Sequence, residues 1–212
     1  MDISNLREEY TQSGITKESV DPDPFKQFEI WFQQACQADL IEPNAMSLAT
    51  VSANGQPSIR TVLLKSYDQH GFEFYTNYGS TKSREINANP KVALLFPWLA
   101  LERQVIIHGS AEKLSVAQSA KYFITRPRGS QLGAWVSKQS GMIASRKVLE
   151  TALQQLINNF ADGQIPLPDF WGGFQVVPTK IEFWQGRANR LHDRLSYDRS
   201  NGKGWILSRK SP

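Results

Sequence analysis

The stretch MSLATVSANGQPSIRTVLLKSY, residues 46 to 67, carries a strong structural signal. Apolar side chains recur at every second position on either side of Asn54-Gly55, and an Asn-Gly pair between two such runs is typical of a tight β-hairpin. The pattern predicts one strand from Met46 to Ser52 and its partner from Gln56 to Tyr67. An antiparallel sheet is therefore expected at the centre of the fold.

The second strand of this hairpin holds a basic residue at each end of an apolar segment. Alternation divides its side chains between two faces, Arg60, Val62 and Leu64 on one and Thr61, Leu63 and Lys65 on the other. Such a strand can support a flat, apolar ring that carries a charged tail. An ordinary barrel strand with charged ends has the same pattern, so the segment alone leaves both interpretations open.

The rest of the chain alternates between strands and helices. Aromatic, apolar and β-branched runs predict strands at 71–77, 90–98, 103–113, 174–184 and 204–208. The strand at 90–98 is nearly continuous in apolar residues and is expected to be buried on both faces. Capping residues and apolar periodicity predict helices at 23–40, from residue 80, at 115–125 and at 145–160. Residues 133–141 are expected to form a polar loop and residues 166–173 a rigid connector.

These elements predict a mainly β fold of the α+β class. About seven strands joined by short turns, with helices inserted between hairpins, are typical of a β-barrel surrounded by helices. A dinucleotide-binding Rossmann fold is disfavoured, because both the βαβ alternation and the G-x-G-x-x-G motif are absent from the sequence.

Length and composition limit the number of domains, the kinds of metal or disulfide site and the cellular compartment that we expect. The 212 residues are expected to form a flexible N-terminal arm at 1–22 and one domain at 23–212. The single cysteine, Cys36, excludes an intramolecular disulfide and a thiolate metal cluster, and no metal site is predicted. The N-terminus has no basic segment followed by an apolar run, and no stretch approaches about 18 apolar residues. We therefore expect a cytoplasmic protein without a membrane segment.

The net charge of +4 permits nucleic-acid binding. The aromatic residues, however, alternate as barrel core and do not interleave with lysines and arginines on one exposed face. A basic nucleic-acid module is therefore disfavoured, and no nucleic-acid partner is expected.

The segment Trp184–Arg194 concentrates charge and aromatic surface. If residues 190 to 194 are extended, Arg190, His192 and Arg194 lie on one face, where they suit an anionic ligand. An edge strand protected from aggregation by positive charge is the alternative interpretation.

Two other segments are candidate anion sites. The helix that begins at Ser80 offers free N–H groups and Lys82, a combination that suits a phosphate, although serine is also an ordinary cap. Tyr122 and Arg126 lie one turn apart on the predicted helix at 115–125, and Ser130 follows them.

Eight motifs give the chain a resemblance to the pyridoxamine 5'-phosphate oxidase family, whose members use a flavin to make pyridoxal 5'-phosphate. In chain order they are Arg60-Thr-Val-Leu-Leu-Lys65, Phe74-Tyr-Thr-Asn77, Leu94-Leu-Phe-Pro-Trp98, Glu102-Arg-Gln104, Trp135-Val-Ser-Lys-Gln-Ser140, Phe170-Trp-Gly-Gly173, Glu182-Phe-Trp-Gln-Gly186 and Arg190-Leu-His-Asp-Arg194. They cover nearly the whole chain.

The resemblance implies an FMN-binding split β-barrel that works as a homodimer, with each flavin in a groove between subunits. FMN contacts are implied for Arg60, Thr61, Val62, Leu63, Leu64, Lys65, Tyr75, Thr76, Lys82, Gln104, Gln139, Ser140, Trp184 and Arg194. Substrate contacts are implied for Arg7, Glu8, Glu9, Tyr10, Lys65, Tyr122, Arg126, Ser130, Arg190, Leu191 and His192. Among these, Arg190 and His192 are implied to be catalytic, holding the substrate's pyridine ring against the flavin.

The reaction implied by the resemblance is the oxidation of pyridoxamine 5'-phosphate and pyridoxine 5'-phosphate to pyridoxal 5'-phosphate. A hydride passes to the flavin, and oxygen then reoxidises the flavin and yields hydrogen peroxide. The chain departs from the family pattern at Thr81, where an arginine is usual, and at Glu42, where an aspartate can occur. Two alternatives remain, a split-barrel flavin reductase with another substrate and a non-catalytic carrier of FMN or pyridoxal phosphate.

Overall fold

A computed structural model describes residues 1, 3, 9–136, 139–141, 145–161, 163–200, 202 and 204–212. Within them, the strands are β1 (Ala45–Val51), β2 (Pro57–Leu63), β3 (Ser66–Asp68), β4 (Gly71–Asn77), β5 (Lys91–Trp98), β6 (Arg103–Lys113), β7 (Trp171–Gln185), β8 (Asp193–Ser200) and β9 (Gly204–Lys210). The α-helices are α1 (Pro24–Gln37), α2 (Thr81–Ala88), α3 (Val116–Thr125), α4 (Arg128–Val136) and α5 (Arg146–Asn159). None of these helices is long and apolar enough to cross a lipid bilayer.

All the strands join one antiparallel sheet, which divides at its longest strand. The order is β2-β1-β5-β6-β7-β4-β3, and β8 and β9 continue from β7. One side of β7 pairs with β6 along most of its length, while the other side pairs first with β4 at 171–176 and then with β8 at 180–185. The sheet therefore curls around a core and splits where β4 and β8 diverge. This confirms the predicted α+β class.

Helix α1 closes the core against the curled sheet. The Asp23 side chain accepts the Phe25 N–H at 2.9 Å, and Pro24 occupies the first turn, as predicted. Phe28 is fully buried, and its ring packs edge-on against Phe72 at 5.0 Å and Phe96 at 5.1 Å. The helix ends at Gln37, three residues earlier than expected.

The predicted hairpin is confirmed at its turn and corrected at its far end. Val51 pairs with Pro57 across the turn, where Gly55 adopts a positive φ of 85° that suits glycine. The second strand, however, does not run unbroken to Tyr67. The Leu64 N–H donates to the Asn44 carbonyl, whereas the Lys65 N–H donates to the Glu73 carbonyl. The chain thus changes its pairing partner at this point, which ends β2 at Leu63.

Three expectations about the remaining elements are wrong. Strand β5 is not buried on both faces, because its buried residues alternate with the half-buried Ala93 and Leu95. The expected loop at 133–141 begins inside α4, whose Leu132 and Ala134 are buried in a second apolar cluster. Ile15 and Val20, in the expected surface arm, are buried in the main core.

Candidate functional site

A cavity of about 700 Å³ lies between strands β2 and β4 and helices α2, α3 and α4. Thirteen of the predicted contact residues line it: Arg60, Thr61, Val62, Leu63, Lys65, Tyr75, Thr76, Lys82, Tyr122, Arg126, Ser130, Gln139 and Ser140. Leu64, between Leu63 and Lys65, does not line the cavity; its side chain is buried in the core at the point where the chain changes sheet partners. The fold therefore brings two of the three candidate anion sites into one space.

Lys82 is a buried cation at one end of this cavity. Ser80 caps helix α2, and in the following turn the Lys82 amine lies 3.3 Å from Thr76 Oγ1 and 3.4 Å from Gln139 Oε1. Within the described part of the chain, it has no carboxylate at ion-pair distance. Burial lowers the pKa of Lys82, nearby Arg60 lowers it further, and Glu85 opposes both effects. A buried cation without a counter-ion, beside helix N–H groups, suits an anionic ligand.

Arg60, by contrast, is neutralised by a buried carboxylate. Its Nη2 lies 3.1 Å from Glu85 Oε2, and the Glu85 side chain is only 8% exposed. Glu85 also accepts hydrogen bonds from Thr50 and Ser58, and the hydrogen bond from Thr50 is the main reason that its pKa is lowered. Arg60 is thus held in a fixed position, and the net charge at this end of the cavity comes from Lys82.

Arg126 is a second cation without a carboxylate partner. Its guanidinium carbon lies 4.6 Å from the centre of the Trp171 ring, and burial lowers its pKa. Among the described residues its Nη1 atom is fully buried yet has no hydrogen-bond partner. Buried donors in proteins normally have a hydrogen-bond acceptor, and a bound ligand can supply the acceptor for this one. Arg126 therefore also suits an anion, at a place lined by Tyr122 and Ser130.

A separate aromatic cluster holds five of the other predicted residues. The ring centres of Trp184 and His192 are 4.7 Å apart, and Tyr10 packs edge-on against both of them. Gln104 and Arg194 flank Trp184 on the neighbouring strands. None of these five residues lines the cavity of the same chain. The predicted contacts therefore fall into two groups that one subunit does not bring together.

Arg194 is also fixed by a carboxylate. Its Nε and Nη2 atoms both lie 2.8 Å from Oε1 of Glu182, which is buried, and its Nη1 donates to the Ser211 carbonyl at 3.1 Å. Arg190, Leu191 and Glu9 are exposed, while Arg7 and Glu8 lie outside the described residues.

The predicted strand at 190–194 is wrong for its first three residues. Residues 188–190 form a short 3-10 turn, in which Asn189 and Arg190 have φ values of 54° and 60°. Pairing with β7 resumes only at Asp193, so Arg190, His192 and Arg194 do not share one strand face. His192 Nδ1 accepts the Arg187 N–H at 3.1 Å. A neutral His192 ring consequently carries its proton on Nε2, which can donate to a ligand.

Trp171 and Asn77 also line the cavity, and their place there was not anticipated. Residues 166–173 were expected to be a connector, but β7 already begins at Trp171. Gly173 was the available signal. A Cβ atom there would lie 2.5 Å from Leu114 Cδ1 and 2.8 Å from the Tyr75 ring, so glycine allows both side chains to approach the strand closely.

Comparisons with known proteins agree with this architecture. Residues 32–159 match the model of the pyridoxamine 5'-phosphate oxidase family, and residues 171–212 match that of the pyridoxine 5'-phosphate oxidase C-terminal dimerisation region. The chain is 59% identical to a pyridoxine/pyridoxamine 5'-phosphate oxidase from Rippkaea orientalis, over the full length of both.

Two solved structures share the fold. PhzG from Burkholderia lata 383, in complex with tetrahydrophenazine-1-carboxylic acid, is 28% identical and aligns with a TM-score of 0.87 over 93% of this chain and 98% of its own. A pyridoxamine 5'-phosphate oxidase-related, FMN-binding protein from Nostoc punctiforme is 15% identical. It aligns with a TM-score of 0.73 over 91% of this chain and 100% of its own.

Proposed function

Because the chain belongs to the pyridoxamine 5'-phosphate oxidase family, we propose that it is an FMN-dependent enzyme that makes pyridoxal 5'-phosphate. Its substrates are pyridoxamine 5'-phosphate and pyridoxine 5'-phosphate, and oxygen is the electron acceptor. One observation carries the proposal: a single cavity contains two cations withdrawn from solvent, the buried Lys82 and the half-buried Arg126, that have no carboxylate partner among the described residues. FMN and the substrate each bring one phosphate to such a cavity.

The residues around Lys82 fit the phosphate of FMN. The buried amine, the Thr76 hydroxyl and the Ser140 hydroxyl surround the start of α2, where N–H groups favour an anion. The segment from Arg60 to Lys65, which includes the end of β2, forms the adjacent wall, with the Leu64 side chain in the core. When bound, FMN supplies the redox chemistry by accepting the two electrons that the substrate loses.

Arg126 fits the phosphate of the substrate. Its unpartnered Nη1 can donate a charge-assisted hydrogen bond, and Tyr122, Ser130 and Lys65 offer further donors around the same space. Fixing the substrate by its phosphate sets the position of the reacting carbon, on which rate depends steeply.

We propose that a partner subunit supplies the aromatic cluster. The cluster lies outside the cavity of its own chain, and the residues 171–212 that match the dimerisation region contain Trp184, His192 and Arg194. The exposed Ile59 and half-buried Leu95 lie on the sheet face that a second copy can cover. In a two-fold dimer each cluster completes the other subunit's cavity. Arg190 and the Nε2–H of His192 then hold the pyridine ring.

The overall reaction balances with oxygen alone for the alcohol substrate and with oxygen and water for the amine substrate. Pyridoxine 5'-phosphate loses two electrons and two protons, which convert oxygen into hydrogen peroxide. The amine substrate also takes up one water and releases ammonia. We further propose that residues 23–212 form one domain in the cytoplasm. The segment 1–22 precedes this domain, Ile15 and Val20 anchor it to the main core, and its Tyr10 covers the cluster.

Turnover of the FMN-loaded protein in air tests the proposal. We expect pyridoxal 5'-phosphate to form from both phosphorylated substrates, with one hydrogen peroxide per product. A flavin reductase would instead consume NADH in the presence of FMN and leave both substrates unchanged. A carrier would retain FMN or pyridoxal phosphate without turnover.

A further inference from the structure

Arg126 is held in an unusual way for a half-buried cation. Arginines withdrawn from solvent are commonly paired with carboxylates, as the half-buried Arg60 is with Glu85. Arg126 instead lies against two aromatic rings, at 4.6 Å from the centre of Trp171 and 5.6 Å from that of Phe123. An aromatic face attracts a guanidinium through its quadrupole and, unlike a carboxylate, leaves its positive charge unneutralised.

The Trp171 ring is itself fixed by a stack of aromatic residues. It lies nearly parallel to Tyr75 at 5.5 Å and to Tyr122 at 6.2 Å, while Phe123 meets it edge-on at 5.2 Å. Trp171 is only 7% exposed and also lines the cavity. The ring therefore has little freedom to move, and the guanidinium over it is fixed as well.

We propose that Trp171 is the positioning residue for recognition of the substrate's phosphate. It holds the Arg126 guanidinium by a cation–π contact, so that the charge and the Nη1 donor stay available to the phosphate. The inference rests on the proposed function and adds to it a residue that acts through Arg126. It predicts an effect on binding of phosphorylated ligands and none on FMN affinity.

Replacement of Trp171 by leucine and by phenylalanine tests this role. For Trp171→Leu in the FMN-loaded protein, we expect the Kd for pyridoxal 5'-phosphate and the KM for pyridoxamine 5'-phosphate to rise about tenfold, with kcat within about twofold. Trp171→Phe retains a ring and should recover part of the loss. Trp205→Leu is the matched control, because Arg199 lies 5.7 Å from that ring, outside the cavity. It should leave both constants unchanged.

A double-mutant cycle distinguishes positioning from general packing. If Trp171 acts through Arg126, Trp171→Leu should add little to the loss that Arg126→Met causes alone. Equal losses on both backgrounds, or unchanged pyridoxal 5'-phosphate affinity, would overturn the inference. If Trp171→Leu does not fold, the same cycle with Trp171→Phe decides. Failure of the unsubstituted holoprotein to form pyridoxal 5'-phosphate would refute the proposed function instead.

Discussion

Replacing Lys82 by methionine should weaken FMN binding and, at the same time, stabilise the protein without FMN. Methionine keeps most of the length and apolar surface of lysine and removes the charged amine. In the folded protein that amine is buried without a carboxylate partner among the described residues, and burial is the main reason that its pKa is lowered. The charged Lys82 amine therefore destabilises the folded protein when FMN is not bound.

The size of the binding effect follows from one lost contact. A hydrogen bond to a charged group contributes about 1.5 to 3 kcal/mol, and about 1.4 kcal/mol corresponds to a factor of ten. We therefore expect the Kd for FMN to rise by about tenfold to 150-fold. The Tm without FMN should rise, because methionine has no charge to desolvate at that buried position.

Fluorescence titration of FMN and thermal unfolding of the FMN-free protein measure the two effects. Lys91→Met is the matched control, since Lys91 is exposed on β5 and its amine donates to Ser110 Oγ at 3.0 Å, away from the cavity. It should change neither quantity. If Lys82→Met binds FMN as tightly as the unsubstituted protein, Lys82 does not hold the cofactor's phosphate and the assignment of this end of the cavity fails.

Three further predictions concern charge. FMN affinity should fall as the pH rises through the lowered pKa of Lys82, because the amine loses the charge that attracts the phosphate. In Lys82→Arg, a titration of FMN should show this fall at a higher pH, since a guanidinium keeps its charge longer. Arg190→Met should keep FMN bound yet lower kcat/KM for pyridoxine 5'-phosphate by at least about tenfold, whereas Arg194→Met should lose FMN first. Arg194→Met should also lower the Tm, since among the described residues it leaves the buried Glu182 carboxylate with Lys180 as its one ion-pair partner, at 3.7 Å. Thr81→Arg should lower the Kd for FMN, because Thr81 lines the cavity near Lys82.

The sequence predicted correctly those parts of the fold that are determined by interactions between residues close together in the chain. Examples are the tight turn at Asn54-Gly55 and the helix caps at Asp23, Ser80 and Ser115. Each of them depends on residues only a few positions apart. The resemblance similarly identified thirteen residues that line the cavity, because its motifs extend over several segments.

The errors have non-local causes. The strand predicted to reach Tyr67 ends at Leu63, because after it the chain leaves β1 for β4, and the alternation of side chains within a strand does not reveal a change of pairing partner. At residues 188–190 a 3-10 turn with two positive φ values replaces the start of the expected strand, because β8 pairs with β7 only from Asp193, opposite Gln185. Trp171 was missed because its role depends on Tyr75 and Arg126, which are distant in sequence.

Mixing the FMN-loaded protein with pyridoxamine 5'-phosphate in the absence of oxygen tests the central claim most directly. We predict that the visible absorbance of oxidised FMN disappears while one pyridoxal 5'-phosphate forms per bound FMN, and that admitting oxygen restores the absorbance. Pyridoxamine without its phosphate should react far less at the same concentration, because Arg126 then has no anion to hold. An FMN absorbance that persists with pyridoxamine 5'-phosphate but disappears with NADH would contradict the account.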